Sequence, residues 1–226
     1  MARLIVIEGI DGSGKGTQAR CLVDRLQESG ATTQLISFPR YEATFFGRAV
    51  ADFLNGRFGS LDEVHPFLAS LLFAGDRFES RPMLTAALAD FDVVVLDRYV
   101  ASNVAHQAAK LAGAERGALC GSINHVEYEL FGMPRPDLVL LLDLSAAAAQ
   151  KLIAQKPARS YTDRAADIHE ADADYLTRVR DVYLELARTD PHWSVIRCDS
   201  QSGVRSIAEI AEEVWRLVCA TAAPSR

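Results

Sequence analysis

The chain has 226 residues, 49% of them hydrophobic, enough to build one sizeable α/β domain with a buried core. A net charge of −6 with 24% charged residues excludes the broad basic surface that nucleic-acid binding needs, so an anionic ligand must be held by local positive charge. Cys21, Cys120, Cys198 and Cys219 stand far apart, with no CxxC pair and no histidine at metal-ligand spacing, which excludes a disulfide framework or structural zinc site and reads as reduced thiols.

At the amino terminus, MARLIVIEG passes from an apolar run straight into a glycine-rich loop, without the succession of segments that marks an export signal. The longest apolar runs, such as Leu138–Leu142, fall far short of the ~20 residues that span a bilayer, so a cytoplasmic protein is expected. Leu4–Ile7 reads as a first strand, apolar throughout because it is buried on both faces. Directly behind it stands GIDGSGKGT, Gly9–Thr17, with Gly9, Gly14 and Lys15 at the spacing of a phosphate-binding loop and a helical pattern at Lys15–Ser29. Glycines let successive N–H groups point at phosphate oxygens, the helix start adds positive dipole, and Lys15 reaches the β- and γ-phosphates. The strict pattern places Ser or Thr after the lysine; here Gly16 stands there and Thr17 carries the hydroxyl.

A second strand, Gln34–Phe38, runs into FPRY, and helical spacing follows at Ala43–Asn55, Leu61–Glu79 and Pro82–Ala89. The third strand, Val93–Leu96, ends on DRYVASNVAHQ, Asp97–Gln107, which opens a helix over Val100–Gly113. Beyond it come a helix at Ala118–Phe131, a fourth strand at Leu138–Leu142, a helix at Ser145–Gln155 and a basic segment over 155–167. A helix at Ile168–Arg188, a weaker fifth strand at Ser194–Arg197, polar Asp199–Gly203 and a helix at Val204–Ala220 complete the chain. Strands alternating with helices predict a helix-sheet-helix sandwich around a five-stranded parallel sheet, a P-loop NTPase architecture within one domain over 1–226. In such an open sheet ligands bind beyond the carboxyl ends of the strands, and the three motifs follow strands one, two and three.

The guanine-reading NKxD motif is missing, since Asn55, Asn103 and Asn124 are followed by Gly, Val and His, which excludes a switch GTPase. GIDGSGKGTQ, FPRY, the LFAGDR ending at Arg77, DRYVASNVAHQ and LFGMPRPD before the fourth strand resemble, in order and spacing, the thymidylate kinases, with bacterial members as the nearest pattern. GKGT is also the form of adenylate kinases. The resemblance covers nearly the whole chain and implies phosphoryl transfer from ATP to dTMP with Mg2+, by a homodimer.

On that resemblance Gly9, Ile10, Asp11, Gly12, Ser13, Gly14, Lys15, Gly16 and Thr17 form the ATP site. Arg98 bridges acceptor phosphate and γ-phosphate, Asp97 is the magnesium-side carboxylate, and Asp11 positions substrate and shares in the metal. Phe38, Pro39, Leu54 and Phe73 enclose the nucleotide, Phe73 by stacking; Arg77, Ser102 and Asn103 meet the base, and Tyr41 lies near sugar and acceptor phosphate. The segment at 155–167 resembles the LID, with Arg159 and Arg164 supplying the cation that the P-loop lacks, and Asp167 and Glu170 following on the substrate side. His106 stands where the family places Tyr or Phe beside the deoxyribose. Two other readings stay open on the residues alone: a kinase for another nucleoside or monophosphate, and a nucleotide-binding protein without turnover.

Overall fold

The computed structural model describes residues 2–60, 63–154, 173–200 and 203–221. Five strands, β1 (Arg3–Glu8), β2 (Thr33–Ser37), β3 (Val93–Asp97), β4 (Leu138–Asp143) and β5 (Trp193–Arg197), form a sheet in the order β2-β3-β1-β4-β5 with every pairing parallel. Parallel neighbours require crossovers, and helices supply them on both faces. Alternation along β1 sorts the core: Ile5 and Ile7 pack with Leu22, Leu26, Val179 and Val214, while Leu4 and Val6 pack with Leu84, Val100 and Val104. Burying each such side chain is worth about 1.5–3 kcal/mol, which fixes β1 at the centre of the sheet and the loop after it at the middle of the carboxyl edge.

The helices are α1 (Lys15–Glu28), α2 (Phe45–Leu54), α3 (Pro66–Asp90), α4 (Val100–Ala108), α5 (Gly113–Asn124), α6 (Ala146–Ile153), α7 (Ala173–Thr189) and α8 (Ile207–Thr221). The two helices expected on either side of Pro82 are one: α3 runs through the proline. Proline removes one ladder bond, but Ser80 before it and Leu84 and Ala87 after it are buried, and packing of this long face outweighs the lost bond. The helix expected over Ala118–Phe131 begins earlier, as α5, and continues as a π-helix, His125–Leu130. The polar run after β5 forms a small antiparallel hairpin, β6 (Asp199–Ser200) with β7 (Gly203–Val204), so α8 starts later than expected. A third apolar cluster joins Val50, Phe53 and Leu54 of α2 to Ala69 of α3, with Tyr41 and Phe73 against it. Gly75 makes this contact possible, since a Cβ there would stand 2.5 Å from the Phe46 ring. Residue 61, where a helix was expected to begin, the segment 155–167 with Lys156, Arg159, Arg164 and Asp167, and Glu170 lie outside the described residues. Among the described residues no helix is long and apolar enough to cross a membrane.

Candidate active site

The loop between β1 and α1 is shaped by glycines that nothing else can replace. Gly9 at φ 146° would bring a Cβ to 2.7 Å from the Leu142 carbonyl oxygen, and Gly12 at φ 83° would bring one to 2.5 Å from that of Ala149. Gly14, also left-handed, opens α1, which has no side-chain cap and no acidic residue in its first turn. The orphan N–H groups and the dipole of α1 are therefore offered to an anion. Lys15 Nζ donates to the Ile10 carbonyl across the loop at 2.8 Å. Burial, then the positive charge of Arg98, lower its pKa to about 7, against the opposite pull of Asp11, Asp97 and Glu8.

One cavity of about 680 Å3 lies at the carboxyl edge of the sheet. It gathers the expected Asp11, Gly12, Gly14, Lys15, Gly16, Phe38, Pro39, Tyr41, Leu54, Phe73, Arg77, Asp97, Arg98, Ser102, Asn103 and His106. Gly9, Ile10, Ser13 and Thr17 stand behind the wall: Gly9, Ile10 and Ser13 are buried, and the Thr17 N–H closes the first turn on the Gly14 carbonyl. Arg20, Ser37 and Gln107 line the cavity as well and were not foreseen.

Arg98 follows β3 with φ 69°, a left-handed conformation that costs a non-glycine residue about 1–3 kcal/mol. Its N–H donates to the Ile7 carbonyl at 3.1 Å, tying it to the neighbouring strand. Its guanidinium donates through Nη2 to Asp11 Oδ1 and through Nη1 to Ser102 Oγ at 3.2 Å. Behind it lies Glu8, fully buried at the end of β1 and absent from the sequence reading. Glu8 Oε1 accepts the N–H groups of Tyr99 (2.8 Å) and Ser102 (3.1 Å), capping α4, and Oε2 accepts the Ser102 and Tyr183 hydroxyls at 2.6 and 2.9 Å. Asp97 stands next to this group, its Oδ1 buried without a hydrogen-bond partner.

The far wall was expected to present Arg77 to a base. Arg77 lines the cavity, but its Nε and Nη2 are held by Glu127 from the π-helix, and Asn103 Nδ2 donates to the same carboxyl oxygen at 3.0 Å. Both partners are buried, so the pair keeps either charge from being stranded. Asp76, buried one residue before Arg77, accepts the Arg40 N–H at 2.9 Å and the Thr44 hydroxyl, pinning the FPRY turn after β2. Arg40 itself turns to Ser80 Oγ at 3.2 Å. His106 lies 4.0 Å by Nε2 from Asp11 Oδ2, and the Tyr175 hydroxyl donates to its carbonyl at 2.7 Å. Burial pushes the His106 pKa down to about 3 against the pull of Asp11, so the imidazole is neutral at neutral pH.

The depressed Lys15 has a stability consequence. Between pH 7 and 10.5 the unfolded chain holds a proton that folded Lys15 has lost, so stability rises with pH across that window and the full penalty is present below it. Without nucleotide, Lys15→Met is expected to be more stable than wild type at pH 7 by at least about 1 kcal/mol, with the gap closing toward pH 10. Thermal unfolding across pH checks this; a wild type more stable than Lys15→Met at pH 7 would contradict it.

The family model described as thymidylate kinase matches residues 7–209. The thymidylate kinase of Mycobacterium tuberculosis H37Rv is 34% identical over 202 residues, 88% of this chain and 94% of that one. The human thymidylate kinase is 34% identical over 148 residues, 66% of this chain and 64% of that one. The solved structure of Candida albicans thymidylate kinase matches with a TM-score of 0.73 at 25% identity, covering 97% of this chain and 92% of that one. The P-loop on the central strand, the arginine after β3 and the cavity joining them stand in a sequence matched to thymidylate kinases across most of its length, and the chain belongs to the thymidylate kinase family.

Proposed function

We propose that the chain transfers the γ-phosphoryl group of ATP to dTMP, giving ADP and dTDP, a step toward dTTP. The observation that carries this reading is one continuous cavity that runs from the P-loop, past Arg98, to the apolar walls of Phe38, Leu54 and Phe73. Phosphoryl transfer asks the protein to align donor and acceptor and to neutralise charge on the migrating group. In this reading Lys15 and the α1 N-terminus hold the donor phosphates, and Lys15 regains its proton as they arrive. Arg98, its fork already oriented by Asp11 and Ser102, reaches the acceptor phosphate and the transferring group. Phe73 stacks on the thymine, Arg77 and Asn103 shape the base end, and Tyr41 and His106 border the sugar.

Among the described residues no three His, Cys, Asp or Glu side chains converge as a cage for a metal. Magnesium fits all the same, because that ion prefers one or two carboxylates plus substrate phosphates, and Asp97 offers a buried oxygen without a partner. Asp97 would hold it, through water, and Asp11, engaged by Arg98, would share in it second; the ion would neutralise charge on the donor phosphates. Arg159 and Arg164 are assigned to a LID over 155–167, Asp167 and Glu170 to adjacent positions on the substrate side, and the whole chain to one domain acting as a cytoplasmic homodimer.

A coupled assay with ATP and dTMP, dUMP, dGMP or thymidine tests the reading. ADP and dTDP are expected in equal amounts, with dTMP preferred; a preference for thymidine would make it a nucleoside kinase, and binding without turnover a regulator. Arg98→Ala is expected to lower turnover by about 10³–10⁵-fold with its circular dichroism unchanged. Turnover near wild type in the folded variant would remove Arg98 from the reaction.

His106 sets a second expectation. An apolar wall rejects an added hydroxyl only about 10²-fold, while a neutral imidazole offers a hydrogen-bond partner. Measurable activity on ribothymidine monophosphate is expected, reduced relative to dTMP in His106→Tyr. Equal rejection of the ribonucleotide by wild type and variant would mean that His106 takes no part in sugar choice.

A further inference from the structure

Four lysine or arginine side chains line the cavity: Lys15, Arg20, Arg77 and Arg98. Three are already engaged, Arg98 with Asp11, Arg77 with Glu127, and Lys15 with the Ile10 carbonyl. Among the described residues Arg20 makes no hydrogen bond and no ion pair. Its place is unusual for an unpaired cation. It stands one turn beyond Gly16 on α1, and helical side chains lean toward the N-terminus, so residue i+4 lies over residue i. Because Gly16 has no side chain, the Arg20 guanidinium lies over bare backbone. A Cβ at Gly16 would stand 3.7 Å from Arg20 Nη2 and 3.0 Å from Asp97 Oδ2.

The N-terminus of a helix favours anions and disfavours cations. An unpaired guanidinium held over the first turn of α1, at the edge of a loop built for phosphate, is therefore an arrangement completed by an anion. Its planar fork matches two oxygens of a phosphate chain at once, which the Lys15 ammonium cannot do. The P-loop itself carries no arginine between Asp11 and Lys15. We infer that Arg20 binds the β- and γ-phosphates of the donor nucleotide, and that Gly16, in the position where the strict motif has a hydroxyl residue, leaves the space through which it reaches them. The inference rests on the reading of this cavity as an ATP site.

The test is calorimetric binding of the β,γ-imido analogue of ATP, of AMP and of dTMP to wild type, Arg20→Ala and Arg20→Lys, alongside turnover with ATP and dTMP. Arg20 is exposed and, among the described residues, unpaired, so neither variant should unfold at a lower temperature than wild type. Arg20→Ala is expected to bind the triphosphate analogue about tenfold more weakly, with Arg20→Lys in between, and to bind AMP and dTMP as wild type does. Unchanged affinity for the analogue, or equal weakening toward AMP, would overturn the assignment, as would a loss confined to dTMP. A wild type that fails to make dTDP would instead sink the underlying reading, whereas an active wild type with an indifferent Arg20→Ala sinks this inference alone.

Discussion

The site depends on one strained residue and the carboxyl group behind it. Arg98 leaves β3 in a left-handed conformation, which points a long cation back across the carboxyl edge of the sheet instead of along the next helix. Nothing in Arg98 itself favours that backbone. What holds it is the bond from its N–H to β1 on one side and, on the other, the start of α4 bound by Glu8 through two backbone N–H groups. Tyr99 gives α4 no side-chain cap, so Glu8 does the capping from a different strand. The same carboxyl takes the Tyr183 hydroxyl, so α7, β1 and α4 meet at the point where the arginine is aimed.

Around this point the charges are arranged before any ligand arrives. Burying an ion pair returns little net stability, because desolvation offsets most of the attraction. Such pairs are tolerable here because each cation has a partner in good geometry: Arg98 with Asp11, Arg77 with Glu127. Lys15 is the exception, buried beside a second cation and losing its proton near pH 7. That is a cost of about one or more kcal/mol to the empty protein which an incoming phosphate chain removes. Preorganised donors aimed at developing negative charge stabilise it without reorganisation at the moment of transfer.

Much of this was legible in the sequence because it is local. Four apolar runs and a weaker fifth give the five parallel strands, and the glycine loop between Leu4–Ile7 and Lys15 places the phosphate site on the central one. Phe38, Phe73, Asp97, Arg98 and Ser102, all read from short motifs, converge on one cavity. What escaped was long-range. Glu8 stands between the strand read as Leu4–Ile7 and the glycine loop, and nothing near it foretells partners 91 and 175 residues away. Glu127 met Arg77 only because a π-helix, invisible to a spacing of three and four, turns it inward. Pro82 read as a helix boundary because local propensity says so, and burial of Leu84 and Ala87 overrode it. Arg20 is carried by no motif and lies inside the helical pattern over Lys15–Ser29, and it comes to the cavity over the bare surface of Gly16.

Glu8 reaches Arg98 through the start of α4 and the Ser102 hydroxyl, and is the place where the aim of that arginine is most directly tested. Glu8→Gln keeps the shape, one accepting oxygen for the two N–H groups of α4, and a donor toward Ser102 and Tyr183, while removing the carboxyl oxygen that the two hydroxyls share. Steady-state kinetics with ATP and dTMP, beside a thermal melt, measures the consequence. A variant that melts close to wild type, with KM for both nucleotides little changed and kcat down by about tenfold or more, is what the account predicts. A folded Glu8→Gln with wild-type kcat, or with its whole loss in KM, would contradict it.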